Sequence, residues 1–240
     1  MWAGVGARWL SVQRLRNLIV AFPDSIAEPF GAFARECYTR GRDPRWKPLA
    51  RGQHRKVAEP PGELNSSPEF HKPAALMLRL RVGLGVGIKA DVLAFLLGRA
   101  GSRETIGQMT QAVGYGRRGV QRAVDELVAA GFLTALATAP ASYRAPLEAW
   151  GALLGFSDNP PPWWFWTQLY AFGAALEQAA RETAGKSLYL QSTRVRDVLA
   201  SQRSSLALNG IVLPEDSSAP GEEFLPVLAE RRRARACRPR

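Results

Sequence analysis

Four side chains suited to binding nucleic acid lie close together near the middle of this chain of 240 residues. They are Arg117, Arg118, Gln121 and Arg122. An arginine guanidinium donates two parallel hydrogen bonds to guanine O6 and N7 or to a phosphate, and a glutamine carboxamide pairs with adenine N6 and N7. Three cations and one carboxamide on the first two turns of a helix are what a helix needs near its N-terminus to contact the major groove. The residue types therefore indicate DNA binding.

The elements that must position these side chains are predicted by residues 105–133. Thr105 caps a first helix through its hydroxyl, and Gln108 reaches back to the cap amide, which makes a capping box. Gly114 supplies the left-handed backbone of a tight turn, and a second helix begins at Gly116 or at the residue after it. The apolar residues of that helix form one stripe at the 3.6-residue period and face a core; they are Val120, Ala123, Val124, Leu127 and Val128.

A strand and a wing are expected after the second helix. Gly131 ends the helix, and Phe132 begins an apolar strand. The wing would be the segment TALATAPASYRA, in which Arg144 is the single charged residue. Wings that grip the DNA backbone or the minor groove usually offer several cations, so this wing departs from that pattern.

The spacing of these residues resembles that of the winged helix-turn-helix repressors of the MarR and ArsR classes. The likeness covers about residues 88–145 and is carried by Gly114, Val120, Leu127, Gly131 and Phe132–Leu133. The resemblance implies a mainly α fold: a central winged helix-turn-helix with a three-helix core and a small β-wing, flanked by helical N- and C-terminal regions. Gly116 stands where such families usually carry a Ser or Thr cap. The residues predicted to bind DNA are Thr105, Gln108, Tyr115, Arg117, Arg118, Gln121, Arg122 and Arg144.

The charge of the chain agrees with a polyanionic partner. The formal net charge is +11; residues 1–72 hold 12 basic and 7 acidic side chains, residues 73–145 hold 9 and 4, and residues 146–240 hold 11 and 10. Nearly all of the excess of cations therefore lies in the first two parts of the chain. A surplus of positive charge favours binding to nucleic acid, although a basic tail alone can produce it.

No enzyme, cofactor or metal site is predicted. The two cysteines, Cys37 and Cys237, are far apart in the sequence, and His54 and His71 stand outside any paired-ligand pattern. We find no GxSxG motif, no cysteine near a histidine and no carboxylate constellation. The first 22 residues contain no continuous apolar core of a signal peptide, so a cytoplasmic location is expected.

The N-terminal region, residues 1–72, is predicted to be a helical arm followed by a basic linker. An amphipathic helix is expected at about residues 8–22 and a second one at 25–39, and residues 40–72 are expected to be mostly extended. Trp46 stands among cations, and we expect it on the protein surface rather than stacked on a base. Residues 73–145 form the predicted DNA-binding domain, in which the resemblance favours a helix over a strand for residues 74–87.

The C-terminal region, residues 146–240, is predicted to be helical and to serve dimerisation or effector binding. A helix at about 163–181, with Pro162 at its start, carries a cluster of aromatic residues. Packing in a core or a dimer is favoured over a pocket for a small apolar effector, because aromatic stripes at helical spacing usually pack. Further helices are expected at 192–208 and after PGEE, followed by a basic tail.

Two functions are compatible with the sequence. The first is a homodimeric transcriptional regulator that binds double-stranded DNA sequence-specifically with the helix at 116–130, and that has no membrane partner. The alternative is a winged-helix interaction or assembly module of the replication or partition type, which the apolar wing favours.

Overall fold

The computed structural model describes residues 6–21, 23–50, 69–156 and 160–209, together with residues 211, 222 and 224. The described chain is mainly helical with one small antiparallel sheet, which confirms the predicted mainly α class. It divides into two compact units, Met1–Trp163 and Trp164–Arg240. The predicted division at residues 72 and 145 stays a prediction, but the helix directly after residue 145 belongs to the first of these units.

The helices of the first unit are α1 (Val12–Ala21), α2 (Pro23–Thr39), α3 (Leu76–Leu84), α4 (Ile88–Gly98), α5 (Ile106–Val113), α6 (Arg117–Ala129) and α7 (Leu147–Leu154). Its strands are β1 (Glu104–Thr105), β2 (Thr134–Leu136) and β3 (Ser142–Arg144), and short 3-10 turns lie at Ala7–Trp9, Pro44–Leu49 and Pro73–Ala75. The second unit contains α8 (Trp166–Glu182) and α9 (Leu188–Ala207). None of the helices described is both long and apolar enough to cross a membrane.

The N-terminal segment has a small core of its own around Trp46. This side chain is only 1% exposed and packs edge-to-face on Phe33, with ring centroids 5.7 Å apart. The surface position expected for Trp46 is therefore wrong. The reason is local: Asp43 caps a 3-10 turn by accepting a hydrogen bond from the Arg45 amide, and this turn folds residues 44–49 back onto α2. These residues are not extended, and residues 51–68 of the predicted linker lie outside the described residues.

Helix α4 lies at the centre of the first unit. Every residue from Ala90 to Leu97 is buried, because the helix is apolar around nearly its whole circumference and packs against α3, α5 and α6. The helix predicted for residues 74–87 is confirmed as α3, which ends before Gly85 at a positive φ of 83°. Helices α4, α5 and α6 pack against one another in pairs and form a three-helix core.

The sheet adds a hairpin to this core. Its strand order is β1-β3-β2, with Glu104 opposite Tyr143 and Ala135 also opposite Tyr143. The strand predicted to begin at Phe132 begins two residues later, because the amides of Phe132 and Leu133 both donate to the Leu127 carbonyl and complete the end of α6. Phe132 instead packs on α7.

The second unit is built on a pair of antiparallel helices. Arg194 of α9 pairs with Glu182 at the end of α8, and Asn209, just after α9, accepts a hydrogen bond from the Phe165 amide at the start of α8. The helix predicted at 163–181 therefore begins later, at Trp166, since the Phe165 backbone is not helical. Helix α9 begins at Leu188, earlier than predicted, because Ser187 caps it. The helix and tail predicted after PGEE lie outside the described residues, apart from residues 222 and 224.

Candidate nucleic-acid interface

The turn between α5 and α6 is set by residues that the sequence predicts correctly. The Oγ1 of Thr105 accepts a hydrogen bond from the Gln108 amide at 3.3 Å, and Gln108 Oε1 accepts one from the Thr105 amide at 2.7 Å, so the capping box is confirmed. Gly114 adopts a φ of 70° and ends α5. Helix α6 starts three residues later, after Gly116, which provides no side-chain cap.

The inner face of α6 is fixed by burial. The residues of the predicted apolar stripe that are buried are Val120, Ala123, Val124 and Leu127, and Val128 is half-buried. Gly119 faces α4, where a Cβ at this position would lie only 2.9 Å from Ile88 Cδ1. A side chain at position 119 would therefore require only the end of the Ile88 side chain to shift, so the orientation of α6 is set by its buried apolar stripe.

The outer face of α6 consists of five polar side chains. Arg117, Arg118, Gln121, Arg122 and Asp125 line an open groove of about 450 Å³. The three arginines are exposed, and within the described ranges none of them forms an ion pair. Other arginines of the first unit are paired: Arg81 with Asp91 at 2.8 Å, and Arg99 with Glu104 at 2.7 Å. The guanidinium groups of the outer face are thus available to an external anion.

The neighbouring carboxylate Glu126 is directed away from this groove. Its Oε2 lies 2.6 Å from Lys89 Nζ on α4. The hydrogen bond and the charge of Lys89 lower the pKa of Glu126, so the carboxylate is ionised and locally compensated at neutral pH. The charge of Arg122 lowers the pKa of Glu126 to a smaller extent than Lys89 does, so Glu126 is held mainly by Lys89.

Tyr115 does not belong to the interface, and its predicted role in DNA binding is corrected. The side chain is 6% exposed, and its hydroxyl lies 2.7 Å from Ser11 Oγ and 3.1 Å from Asp91 Oδ2. Burial, followed by the charge of Asp91, raises the pKa of Tyr115 to about 12. The ring is directed inward because the αL turn at Gly114 places it against α4 and the N-terminal segment.

A buried ionic cluster lies beneath the turn and was not predicted. Asp91, fully buried, accepts hydrogen bonds from Arg81 Nε at 2.8 Å and Nη2 at 2.9 Å, and Arg14 Nη1 lies 3.6 Å away. Arg81 also donates to the Trp9 carbonyl. Burial lowers the pKa of Arg14. One sequence signal was present, because Asp91 is the only acidic residue in the apolar run IKADVLAFLLGR.

Helix α1 braces the same turn from outside. Asn17 Nδ2 donates to the Gly114 carbonyl at 2.7 Å, and a Cβ at Gly114 would meet Leu18 at 3.9 Å. The N-terminal segment therefore contacts the backbone that separates α5 from α6. Its predicted amphipathic helix is packed within the first unit.

The hairpin carries the last predicted site residue. Arg144 is exposed on β3, and its Nε donates to Thr134 Oγ1 across the strand pair at 3.3 Å. Leu136 is 44% exposed on β2. The structure thus brings Arg117, Arg118, Gln121 and Arg122 together on one face, leaves Arg144 on a separate hairpin, and uses Thr105 and Gln108 as a helix cap.

No family model matches the chain, and comparisons with curated proteins and with solved structures found no match. In the part of the chain that the structure describes, no group of three His, Cys, Asp or Glu side chains is placed to hold a metal ion.

Proposed function

We propose that this protein is a sequence-specific DNA-binding transcriptional regulator whose residues 73–145 form a winged helix-turn-helix of the MarR/ArsR kind. The chain order α4, β1, α5, α6, β2, β3 and the sheet order β1-β3-β2 support this assignment. In it, α6 is the recognition helix and the β2–β3 hairpin is the wing. Along the chain, helices α1 and α2 precede this domain, and helices α8 and α9 follow it.

The observation that carries the proposal is the outer face of α6. Three guanidinium groups without ion pairs stand on the first two turns of a helix whose opposite face is buried. Leaving cations unpaired brings no stability to the isolated protein, whereas each can bind a phosphate or a guanine in a complex. The uncapped N-terminus of α6 also presents backbone N–H groups and the positive end of the helix dipole, which favour a phosphate.

Fluorescence anisotropy with duplexes chosen by repeated selection from a random pool tests this proposal. A variant with alanine at all three arginines, Arg117, Arg118 and Arg122, is expected to bind DNA more weakly by about 1–3 kcal/mol for each arginine that contacts a base. For each lost phosphate contact, the slope of log K against log salt should become shallower by about one unit.

A matched control removes the same charge elsewhere. Alanine at Arg181, Lys186 and Arg194 also lowers the net charge by three, and these exposed residues lie on or between α8 and α9. Arg181 and Arg194 pair with Glu177 and Glu182, so circular dichroism verifies that the control keeps its fold. The control is expected to retain the wild-type affinity and salt slope. Equal affinities for the wild-type protein and the α6 variant, at every salt concentration, would show that α6 is not the DNA-contacting element.

A homodimer is the expected assembly, because a single recognition helix covers only a few base pairs and two half-sites lie about one helical turn apart. The α8 face is a candidate dimer surface: Trp166 and Tyr170 are 56% and 60% exposed, and their ring centroids lie 6.3 Å apart. Light scattering should give twice the chain mass, and the footprint should be palindromic. A monomer at micromolar concentration with one short footprint would contradict the dimer.

The same aromatic face could bind a small apolar effector. Such a ligand alters DNA affinity only if it binds the two conformations unequally, with couplings of about 1–3 kcal/mol being typical. The probe is 8-anilinonaphthalene-1-sulfonate, followed through tryptophan fluorescence with and without Trp166→Ala. If the probe binds to this aromatic face and the affinity for DNA does not change, the face serves packing alone.

A second function, an assembly module of the replication or partition type, is favoured by the hairpin. Arg144 is its single cation, and Leu136 is exposed, so the hairpin surface is more apolar than a DNA-gripping wing requires. The selection experiment separates the two functions, because an assembly module without sequence preference enriches no motif from the random pool.

A further inference from the structure

One residue of the outer face of α6 has the opposite charge to its neighbours. Asp125 is exposed and lines the same groove as the three arginines. Its Oδ1 accepts a hydrogen bond from Gln121 Nε2 at 2.8 Å. It lies eight residues after Arg117, or roughly 12 Å along the helix axis, which corresponds to about two turns.

A carboxylate at this place is unfavourable for a surface that binds only phosphates, because it repels them. Neutralisation by a neighbouring cation would remove the difficulty, yet no ion pair to Asp125 is found among the residues that the structure describes. Glu126 shows the contrast, since Lys89 holds it outside the groove at 2.6 Å. Asp125 therefore presents a hydrogen-bond acceptor to any group that enters this surface groove.

The hydrogen-bonding groups of the major groove limit what Asp125 can bind there. A carboxylate only accepts hydrogen bonds, so it needs a donor. The donors on base edges in the major groove are the amino groups of cytosine N4 and adenine N6, whereas guanine O6 and thymine O4 are acceptors that a carboxylate repels. Adenine also carries the N7 acceptor beside its amino group. Cytosine is therefore the base that a carboxylate fits best.

Gln121 is oriented by the same contact. Because Asp125 only accepts, the Gln121 carboxamide must turn its NH₂ group toward it, which leaves Gln121 Oε1 available as an acceptor. Gln121 and Asp125 thus present hydrogen-bond acceptors in addition to the donors of the three arginines. Such a surface can distinguish bases at its far end while the arginines supply affinity.

We propose that Asp125, held by Gln121, is a specificity-determining residue that selects a cytosine amino group at one base pair of each half-site. This inference rests on the proposed function, since it requires α6 to lie in the major groove. Asp125 contributes to preference rather than to affinity, because its charge opposes the phosphates.

The test compares the motifs selected from a random duplex pool by the wild-type protein, by Asp125→Ala and by Asp125→Asn. With Asp125→Ala, discrimination in favour of cytosine at one position per half-site should fall by about 10-fold, while affinity for random duplexes stays the same or rises. The Asp125→Asn variant, whose amide can also donate, should accept guanine or thymine at that position. Both substitutions are at an exposed site, and circular dichroism verifies that the fold is retained.

Glu126→Gln is the matched control. It removes a carboxylate from the next position of the same helix, so it reproduces the change in net charge without altering the groove. It should leave the selected motif unchanged. An unchanged motif with Asp125→Ala, alongside tight wild-type binding, overturns the role of Asp125 and leaves the proposed function intact. A wild-type protein that enriches no motif overturns both proposals.

Discussion

Removing the carboxylate of Asp91 should destabilise the first unit more than any other single loss of charge described above. Asp91 is fully buried and accepts two hydrogen bonds from Arg81, which is itself only 4% exposed, and one from Tyr115. Asp91→Ala leaves the Arg81 guanidinium buried with the Trp9 carbonyl as its described partner. A buried charge without its counter-ion cannot be compensated by water.

The size of the effect follows from the burial of both partners. Breaking a buried pair by removing one member costs about 3–5 kcal/mol, and the total stability of a domain is about 5–15 kcal/mol. The stability lost in Asp91→Ala should therefore be a large fraction of the free energy of unfolding. By contrast, Lys89 and Glu126 are each about half exposed, so water screens this pair and it contributes little to stability.

Urea unfolding followed by circular dichroism measures both effects. Asp91→Ala should lower the free energy of unfolding by at least about 3 kcal/mol, whereas Glu126→Ala should change it little, because water screens the exposed pair. The triple variant Arg14→Met, Arg81→Met and Asp91→Leu should be more stable than Asp91→Ala, because it removes both buried cations that Asp91→Ala leaves without their counter-ion. A loss below about 1 kcal/mol for Asp91→Ala would refute the reasoning, since it would mean that the cluster is hydrated.

Three further predictions concern the turn and the N-terminal core. The pKa of Tyr115 is raised to about 12, which means that the neutral phenol is favoured in the folded protein. The contribution of Tyr115 to the free energy of unfolding is complete below about pH 10 and falls as the pH approaches 12. An ultraviolet titration compared with that of Tyr115→Phe should show one tyrosine that ionises at a higher pH than the others. Gly114→Ala should lower the free energy of unfolding by about 1–2 kcal/mol, because the φ of this residue is 70°. Gly116→Ser should raise the free energy of unfolding by about a few tenths of a kcal/mol, because serine adds a helix cap. Urea unfolding measures both changes. Burial raises the pKa of the Cys37 thiol to about 12, so in a Cys237→Ser background it should react with Ellman's reagent at pH 8 only after denaturant is added.

Several features of the candidate site could be predicted because they depend on residues a few positions apart. The capping box needs only Thr105 and Gln108, and the turn needs only a glycine that accepts a positive φ at position 114. The buried stripe of α6 follows from the helical period, and the outer face follows from the stripe. The sequence also predicts the mainly helical class and the bounds of α3, α4, α5 and α6 to within a few residues.

The side chains that the sequence places wrongly are those whose environment is made by distant parts of the chain. Tyr115 ends in a hydroxyl and follows a turn, so the local pattern permits the ring to face either solvent or the core. The ring faces the core because its hydroxyl forms hydrogen bonds with Ser11 and Asp91, which are 104 and 24 positions away in the sequence. Trp46 looks exposed among cations until residues 44–49 fold onto α2.

The amino-acid sequence by itself determined which helices form and which face of α6 is apolar, because backbone preference and hydrophobic period act over one or two turns. Only the tertiary structure decided which arginines are paired. Arg81 and Arg118 are the same residue type on helices, yet one meets Asp91 inside the first unit and the other meets solvent. Whether a charged side chain is paired depends on which groups the fold brings within a few ångströms of it, and the local sequence does not determine those distances.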